Sequence, residues 1–255
     1  MHNNINTVKL GKLSPRREPN LLKLSQLTKS PIIVPPTLEN GCDIKDWGMM
    51  RNDEIGCCTA AGAAHLEMLW SSEVNNFINV SVDDVLQFYS DTTGYRLNDP
   101  KTDRGGVETD VLNHWKDIGF KIVDTYHKIN GWVSLNENNP LELKAGIYWF
   151  GGVYAGVSLP LSAQNQMVWD ITNPFLLGDA EPGSWGGHCI ILIGYNEIGP
   201  IAVTWGVRKQ MTWGWWRAYG DEAYAICSLD YLYKDGKTPD GFDLVQLQED
   251  LKILD

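Results

Sequence analysis

The stretch from residue 52 to residue 70 constrains the fold of this chain more than any other. It starts as a polar loop, turns at Gly56, and continues through two adjacent cysteines into an alanine-rich run. Strong helix formers fill residues 59–70, and their apolar members recur on more than one face, which predicts a buried helix. Cys58 therefore stands at the helix N-terminus, where peptide dipoles and free N–H groups favour a thiolate.

This position of Cys58 allows two interpretations. A cysteine whose thiolate is stabilised is a nucleophile once a base holds it ionised. A buried cysteine of an intracellular protein is more commonly just a small apolar side chain. The choice between the two depends on whether the chain supplies a base.

Composition excludes several classes of function. The 255 residues carry a net charge of −11, which opposes binding to a phosphate backbone. Residues 1–10 lack the apolar run of a signal peptide, and no apolar segment is long enough to span a bilayer. The five cysteines are odd in number and scattered, unlike a disulfide framework. We therefore expect a cytoplasmic protein with no nucleic-acid or membrane partner and no cofactor.

The N-terminal half predicts an arm followed by helices. Residues 1–40 show little core-forming pattern and several prolines, and are expected to form an extended arm. Residues 80–89 follow a helix start signal with acidic residues in the first turn. Residues 107–118 have helical apolar periodicity that ends at a glycine. Residues 41–135 are therefore predicted to form a helical lobe.

Residues 136–255 are predicted to form a β-rich lobe. One helix is expected at residues 141–149, and an amphipathic C-terminal helix from about residue 243. Residues 211–216 are predicted to be a connection, with their tryptophans packed in the core rather than forming a binding platform. Apolar segments with the length or alternation of strands lie at residues 152–159, 188–195, 200–204 and 223–227.

The strongest candidate for the base is His188. Histidine has the side chain whose pKa suits proton transfer near neutrality. His65 follows Cys58 by seven residues, about 10 Å along a helix, which is too far for a hydrogen bond. His188 follows a glycine pair and opens an apolar strand, so it is expected at the edge of a sheet, facing a loop. Together Cys58 and His188 predict a reactive pair formed by both halves of the chain.

Several motifs resemble those of the papain-like cysteine peptidases, in the same order and over roughly residues 40–250. The separation of 130 residues between Cys58 and His188 also suits that family. Within that family, the chain looks most like a group of uncharacterised bacterial and phage proteins. They share the patterns Asn-Asp-x-x-Gly-x-Cys-Thr and Ser-Trp-Gly-Gly-His. The motifs are Gly56-Cys57-Cys58, Gly186-Gly187-His188 with Gly194-Tyr195, Thr204-Trp205-Gly206 with Trp213-Gly214, and Glu222-Ala223-Tyr224.

The resemblance implies an α+β fold and a set of roles. A helical left lobe, whose central helix carries Cys58 at its N-terminus, would pack on a β-rich right lobe with a cleft between them. Cys58 would be the nucleophile and His188 the base. The N–H of Cys58 and the side chain of Asn52 would face the oxyanion. The residues that the resemblance assigns to substrate binding are Gly105, Gly106 and Trp205.

The chain departs from the family pattern at three places. Asn52 stands where the family has glutamine, and its side chain is one methylene shorter. Val203 aligns with the asparagine that orients the histidine, and valine accepts no hydrogen bond. Thr204 follows it, and in a regular strand it points to the opposite face. Ile55 replaces the first family cysteine, so the usual disulfide is absent. These departures predict slow turnover.

Two functions remain open from the sequence. The first is a weak cysteine peptidase or related thiol hydrolase that attacks a peptide or amide bond. The second is a catalytically impaired papain-fold protein with a structural or binding role, for instance as a phage virion or capsid component that contacts its neighbours through residues 1–40. The location would be the cytosol of a bacterial host, or the virion.

A metal site is a weaker alternative. Cys57, Cys58, His188 and Cys189 carry suitable ligand atoms. Adjacent residues rarely both reach one tetrahedral ion, and the usual spaced cysteine pair is missing. We therefore expect no metal at this position.

The basic residues of the arm have two possible partners. Lys12, Arg16 and Arg17 can dock on an acidic partner or on the acidic body of the same chain, and the sequence does not choose between these. If the arm lies over the cleft, it is expected to act as an inhibitory segment.

Overall fold

A computed structural model of the chain describes residues 8–16, 21–27, 31–233 and 238–239. The C-terminal helix expected from about residue 243 lies outside these residues. Within the described part of the chain, no helix combines the length and the apolar composition that crossing a membrane requires.

Six α-helices are described, and the second is the central one. Every residue from 58 to 71 in this helix is buried, as its alanine-rich sequence predicts. Gly62 lets the sheet approach closely, because a Cβ there would lie 3.0 Å from Cys189 Sγ and 3.0 Å from the Tyr154 ring. The helices are α1 (Leu24–Leu27), α2 (Cys58–Glu73), α3 (Val82–Thr93), α4 (Glu108–Asp117), α5 (Pro140–Phe150) and α6 (Trp213–Tyr219).

Seven of the nine described strands form one antiparallel sheet. Its order is β4-β9-β5-β6-β7-β8, with β1 paired to β6, while β2 and β3 form a separate hairpin. The strands are β1 (Leu38–Glu39), β2 (Phe120–Ile122), β3 (Thr125–His127), β4 (Ile129–Ser134), β5 (Val153–Leu159), β6 (Gly186–Tyr195), β7 (Pro200–Thr204), β8 (Val207–Gln210) and β9 (Gly220–Ser228).

The helices and the seven-stranded sheet meet along α2. This helix packs on β6, while α3 and α4 pack on its other sides. Tyr154 of β5 ties the layers together, since its hydroxyl donates a 2.7 Å hydrogen bond to the Thr59 carbonyl of α2. The predicted α+β fold with a central helix that starts at Cys58 is confirmed. β4 lies before residue 135 and pairs with β9, so the sheet contains residues from both predicted lobes.

Helix starts follow the local signals of the sequence where side chains cap them. At α3 the Ser81 hydroxyl accepts a hydrogen bond from the Asp84 N–H, and the Asp84 carboxylate accepts one from the Ser81 N–H. This reciprocal capping box explains why residues 80–89 are predictable as a helix start.

The prediction of a connection at residues 211–216 is wrong, because α6 begins at residue 213. The Thr212 hydroxyl caps this helix by accepting a 3.0 Å hydrogen bond from the Trp215 N–H. Trp215 and Trp216 are buried, so the expectation that they pack in the core holds. A run of tryptophan and glycine has weak helix propensity, and tertiary packing of the indoles overrides it.

Candidate active site

Cys58 is the first residue of α2 and is completely buried. Its sulfur faces the backbone N–H groups of Cys189 and Gly11. Burial raises the pKa of Cys58 to about 11, although these two N–H groups act in the opposite direction. At neutral pH the thiol is therefore protonated in this state of the chain.

Cys57 differs from Cys58 in the direction its side chain takes. The Cys57 thiol donates a 3.5 Å hydrogen bond to the Met50 carbonyl, within the loop before the helix. Burial, together with the neighbouring Cys58, raises the pKa of Cys57 far above its usual range. Of the two adjacent cysteines, Cys58 is the one whose sulfur faces both the arm and the sheet.

His188 lies on β6, one residue before the N–H group that faces the Cys58 sulfur. Its Nε2 is 2.8 Å from the Thr204 hydroxyl, and its Nδ1 is buried without a hydrogen-bond partner in the described residues. The ring stacks on Trp205, with centroids 4.3 Å apart and planes 15° apart. One ring nitrogen is thus held in place, and the other is available for a proton.

The charge state of His188 follows from its surroundings. Burial, reinforced by the ammonium group of Lys12, lowers the pKa of His188 to about 3. The imidazole is therefore neutral at pH 7. With the arm in place, Cys58 and His188 are both uncharged.

The residue that holds His188 is Thr204, although the sequence pattern predicts it on the wrong face. Val203 pairs with Ile191, and paired residues of an antiparallel sheet share a face. Ile191 is three residues from His188, so it lies on the opposite face of β6. Thr204, the next residue after Val203, therefore lies on the face of His188. Strand register, which the sequence does not show, supplies the orienting hydroxyl.

The arm lies in the cleft and pairs with Gly106. The Gly106 N–H donates a 2.8 Å hydrogen bond to the Gly11 carbonyl, and the Gly106 carbonyl accepts a 2.9 Å hydrogen bond from the Leu13 N–H. These two bonds form a parallel bridge between Lys12 and Gly106. The arm thus uses the glycine that the resemblance assigns to a substrate backbone.

The arm also bonds to other segments around the cleft. The Lys12 N–H donates a 3.2 Å hydrogen bond to the carbonyl of Gly187, the residue before His188. The Lys9 N–H donates a 2.9 Å bond to the Asp53 carbonyl in the loop before the nucleophile. Residues 9–13 are therefore anchored on both sides of the Cys58 sulfur.

Glycine is required where the arm passes closest to the body. A Cβ on Gly11 would overlap the carbonyl oxygen of Gly56, two residues before Cys58. A Cβ on Gly105 would overlap the carbonyl oxygen of Gly11. Gly105 also has φ +79°, a conformation that glycine adopts without strain.

Two other predicted site residues, Asn52 and Trp205, are buried. Asn52 is buried, and its Oδ1 has no hydrogen-bond partner in the described residues. It follows Met50 and Arg51, both with positive φ (57° and 54°), in the loop before Cys58. Trp205 is buried against the imidazole, so the contact that the structure describes is with His188. Its predicted contact with substrate stays a prediction.

Carboxylates surround Lys12, and the sequence pattern does not predict this cluster. Lys12 Nζ lies 2.9 Å from Asp221 Oδ1 and 2.8 Å from Glu222 Oε1, and the Lys12 side chain is only 1% exposed. The sequence allows two docking partners for the basic residues of the arm. Lys12 docks on one of them, the body of its own chain. Lys12 is more than 200 residues away from the adjacent Asp221 and Glu222, and no local pattern connects it to them.

Known structures share this architecture. Xylellain, a cysteine protease from Xylella fastidiosa, matches with a TM-score of 0.68 and 13% identity, covering 88% of this chain and 97% of that one. The proform of the ragweed cysteine protease Amb a 11 matches with a TM-score of 0.63 and 13% identity, covering 88% and 70%. A procathepsin B from Trypanosoma congolense matches with a TM-score of 0.55 and 12% identity, covering 88% and 87%.

No protein-family model and no curated protein sequence matches the chain. The structural matches nevertheless establish the class: this chain has the fold of the papain-like cysteine proteases, as its motifs predict. At 12–13% identity the likeness concerns the fold. The closer similarity to bacterial and phage proteins stays a prediction.

Proposed function

We propose that this chain is a papain-like cysteine peptidase, or a related thiol hydrolase of an amide bond, whose arm keeps it latent. Cys58 is the nucleophile and His188 the base. The observation that carries the proposal is the state of the His188 ring. Nε2 is held by a hydroxyl, and Nδ1 is buried with no hydrogen-bond partner among the described residues. The next residue of the strand, Cys189, presents its N–H to the Cys58 sulfur.

The proposed reaction proceeds through a thioester. The Cys58 thiolate, formed when its proton passes to His188, adds to the carbonyl carbon of the amide. The tetrahedral oxyanion collapses, the C–N bond breaks, and the imidazolium gives its proton to the leaving amine. His188 then takes a proton from water, whose oxygen attacks the thioester. The products are a carboxylic acid, an amine and the regenerated thiol.

Thr204 positions the base in this scheme. A threonine hydroxyl can accept a hydrogen bond from Nε2–H when His188 is protonated, which leaves Nδ1 for the exchange with sulfur. The hydroxyl thus replaces the asparagine of the family pattern. Because it can also donate, it selects the tautomer less strictly than a carbonyl acceptor does, in keeping with slow turnover.

The oxyanion donors follow from the start of α2. Among the described residues, no side chain caps this helix at Cys57, so the N–H groups of its first turn have no capping bond from that part of the chain. We assign the N–H of Cys58 and the amide of Asn52 to the oxyanion. One such donor typically contributes a factor of about 100 to 1,000 to the rate.

The arm explains why the proposed enzyme is latent and does not cleave itself. Gly11 presents its N–H to the Cys58 sulfur, while its carbonyl oxygen is bonded to the Gly106 N–H. The sulfur therefore faces a donor rather than an electrophilic carbon. When the arm leaves, water reaches the pair and removes the burial that keeps both groups neutral.

The test uses Gly11→Val, because a side chain at this position overlaps Gly56 and expels the arm. We expect iodoacetamide to alkylate Cys58 at least tenfold faster in this variant than in the unchanged chain at pH 6, and a peptide library to be hydrolysed. Ser14→Val is the matched control, since Ser14 belongs to the same arm and is exposed. Cys58→Ala should abolish both signals.

The proposal is wrong if Cys58 in the Gly11→Val protein reacts no faster than free cysteine and no peptide is cleaved. That outcome would favour the second candidate, a papain-fold protein without turnover that acts in binding or assembly. The filled cleft and the uncharged pair are the observations that support this alternative. Contacts of residues 1–40 with neighbouring proteins, in a virion or in the bacterial cytosol, belong to it as proposals.

A further inference from the structure

We infer that Glu108, Asp221 and Glu222 form a specificity pocket for a lysine or arginine side chain of the substrate, which Lys12 fills in the latent chain. The inference rests on the proposed peptidase function and adds the class of substrate. We call these three residues the acidic pocket.

Lys12 occupies the acidic pocket as a fully enclosed cation. Its side chain is 1% exposed, and its Nζ pairs with Asp221 at 2.9 Å and with Glu222 at 2.8 Å. Nζ also donates a 3.3 Å hydrogen bond to the Leu13 carbonyl. Burial by itself lowers the pKa of Lys12, but Glu108 and the other two carboxylates more than offset it and raise the pKa above its usual value.

The floor of the pocket is shaped for a long aliphatic stem. Gly156, on β5, lies where a Cβ would overlap the Lys12 Cε and crowd both Asp221 and Glu222. The glycine therefore leaves room for a stem of three or four methylenes that ends between carboxylates. Lysine and arginine are the residues with such stems and a cationic end.

The carboxylates are held by the body of the chain rather than by the arm. The Tyr224 hydroxyl donates a 2.7 Å hydrogen bond to Glu222, and the Ser158 hydroxyl donates a 2.7 Å bond to Asp221. Glu108 lies in the first turn of α4 and is fully buried. The pocket is thus preorganised independently of the arm.

The pocket needs a cation. Both carboxylate oxygens of Glu108 are buried, and the hydrogen-bond donor beside them is the Cys189 thiol, a weak one. Burial and the neighbouring Glu222 raise the pKa of Glu108 well above its ordinary value. A bound ammonium or guanidinium group relieves this repulsion, whereas an apolar or acidic side chain leaves it in place.

The pocket is also next to the reaction centre. Lys12 follows Gly11, whose N–H faces the Cys58 sulfur, and its backbone forms a bridge with Gly106. A substrate peptide that pairs with Gly106 through its backbone places a side chain at the same entrance. The pocket therefore selects a residue close to the bond that is cleaved.

Lys9 forms an ordinary ion pair between the arm and the body, which serves as a comparison for Lys12. It bonds to Asp103, and its side chain is 41% exposed. Asp103 already accepts hydrogen bonds from the Tyr89 hydroxyl and the Gly56 N–H, so it has a structural role without Lys9. The enclosure of Lys12 by several carboxylates goes beyond such a contact.

The first experiment measures substrate preference in the double variant Gly11→Val, Lys12→Ala, whose arm neither fits the cleft nor fills the pocket. Fluorogenic peptide libraries are assayed with lysine, arginine, norleucine or glutamate fixed at each position in turn. We expect lysine or arginine at one position to raise kcat/KM at least tenfold over norleucine. Equal kcat/KM for lysine and norleucine at every position would overturn the inference.

The role of the carboxylates is tested in the same background. Glu222→Gln should reduce the preference for lysine over norleucine, measured as the ratio of the two kcat/KM values, at least fivefold. Asp221→Asn is the second variant, and circular dichroism melting identifies any variant that does not fold. Unchanged preference in both folded variants would contradict the assignment.

A binding measurement separates the pocket from the peptidase. The protein carrying Cys58→Ala with Gly11→Val and Lys12→Ala is titrated with a labelled peptide of residues 8–16, or with the same peptide carrying norleucine at position 12. If no peptide is cleaved but the lysine peptide binds at least tenfold tighter, the pocket stands and the peptidase proposal fails. If peptides are cleaved and both labelled peptides bind equally, the pocket fails and the peptidase stands.

Discussion

His65 and His188 are both buried beside a tryptophan, yet we propose a catalytic role for only one of them. His65 packs edge-on against Trp47, with ring centroids 5.9 Å apart, and His188 stacks on Trp205 at 4.3 Å. Burial lowers the pKa of His65 to about 4 and that of His188 to about 3. A buried position and a low pKa therefore do not identify a base.

The hydrogen-bond partners distinguish the two rings. His65 Nε2 lies 2.9 Å from the Trp47 carbonyl and 3.1 Å from the Gly48 carbonyl. Since carbonyls only accept, this nitrogen must carry the proton, and the tautomer is fixed. His188 instead faces a hydroxyl, which both donates and accepts, so its tautomer is free to change. The proposed base needs a ring nitrogen that is free to take the proton, and Nδ1 of His188 is that nitrogen because it has no hydrogen-bond partner among the described residues.

The largest expected difference is in activity. In the Gly11→Val background, we expect His188→Ala to lower kcat/KM by about 1,000-fold or more, because the proton acceptor is lost. His65→Gln retains an N–H for the two carbonyls and should change kcat/KM by less than about threefold. Steady-state kinetics on folded proteins checks both values. A comparable loss of kcat/KM in His65→Gln would contradict the different roles proposed for the two histidines.

A smaller effect is expected from Thr204, which acts through His188. Thr204→Val removes the hydroxyl and should lower kcat by about 10- to 100-fold, with little change in KM. Without the hydroxyl the imidazolium is less stable, so the alkaline limb of the pH–rate profile should move to lower pH. Thr204→Ser should restore both. A pH profile that does not move would leave Thr204 with a packing role only.

The smallest effect is on stability, and here the two histidines should behave alike. Unfolded His65 binds a proton near pH 6.5, whereas folded His65 stays neutral down to about pH 4, so the free energy of unfolding falls as pH decreases between these values. From pH 7.5 to pH 5.5 each buried histidine contributes a loss of about 1 kcal/mol. Urea unfolding at the two pH values should show that His65→Gln removes one such contribution.

The Gly11→Val variant sharpens this comparison. Once the arm is expelled, His188 is less buried and its contribution to the acid loss should shrink, while that of His65 should persist. An unchanged acid loss in Gly11→Val would mean that the arm does not control the surroundings of His188.

The elements that carry Cys58 and His188 are the most predictable from the sequence. The alanine-rich run identifies α2 because its pattern is local and its residues are buried on every side. The apolar run at residues 188–195 identifies β6 for the same reason. The helix α6 is missed because its sequence has weak propensity and its indoles find their partners through tertiary packing.

The features of the site also differ in how well the sequence predicts them. The loop before Cys58 and the glycine pair before His188 carry short-range patterns. The contact of Thr204 with His188 depends on the register of β7 against β6, and a one-residue difference in register reverses the face of every side chain. A sequence pattern does not resolve that difference.

By itself the sequence determines the position of Cys58 at a helix start through local propensity, and the order of its motifs indicates the fold through their resemblance to a known family. Only the tertiary structure decides that the Gly11 N–H faces the Cys58 sulfur, that Lys12 pairs with Asp221 and Glu222, and that the Thr204 hydroxyl holds the His188 ring. Each of these contacts joins residues that are distant in the chain, and strand register and chain crossing bring them together.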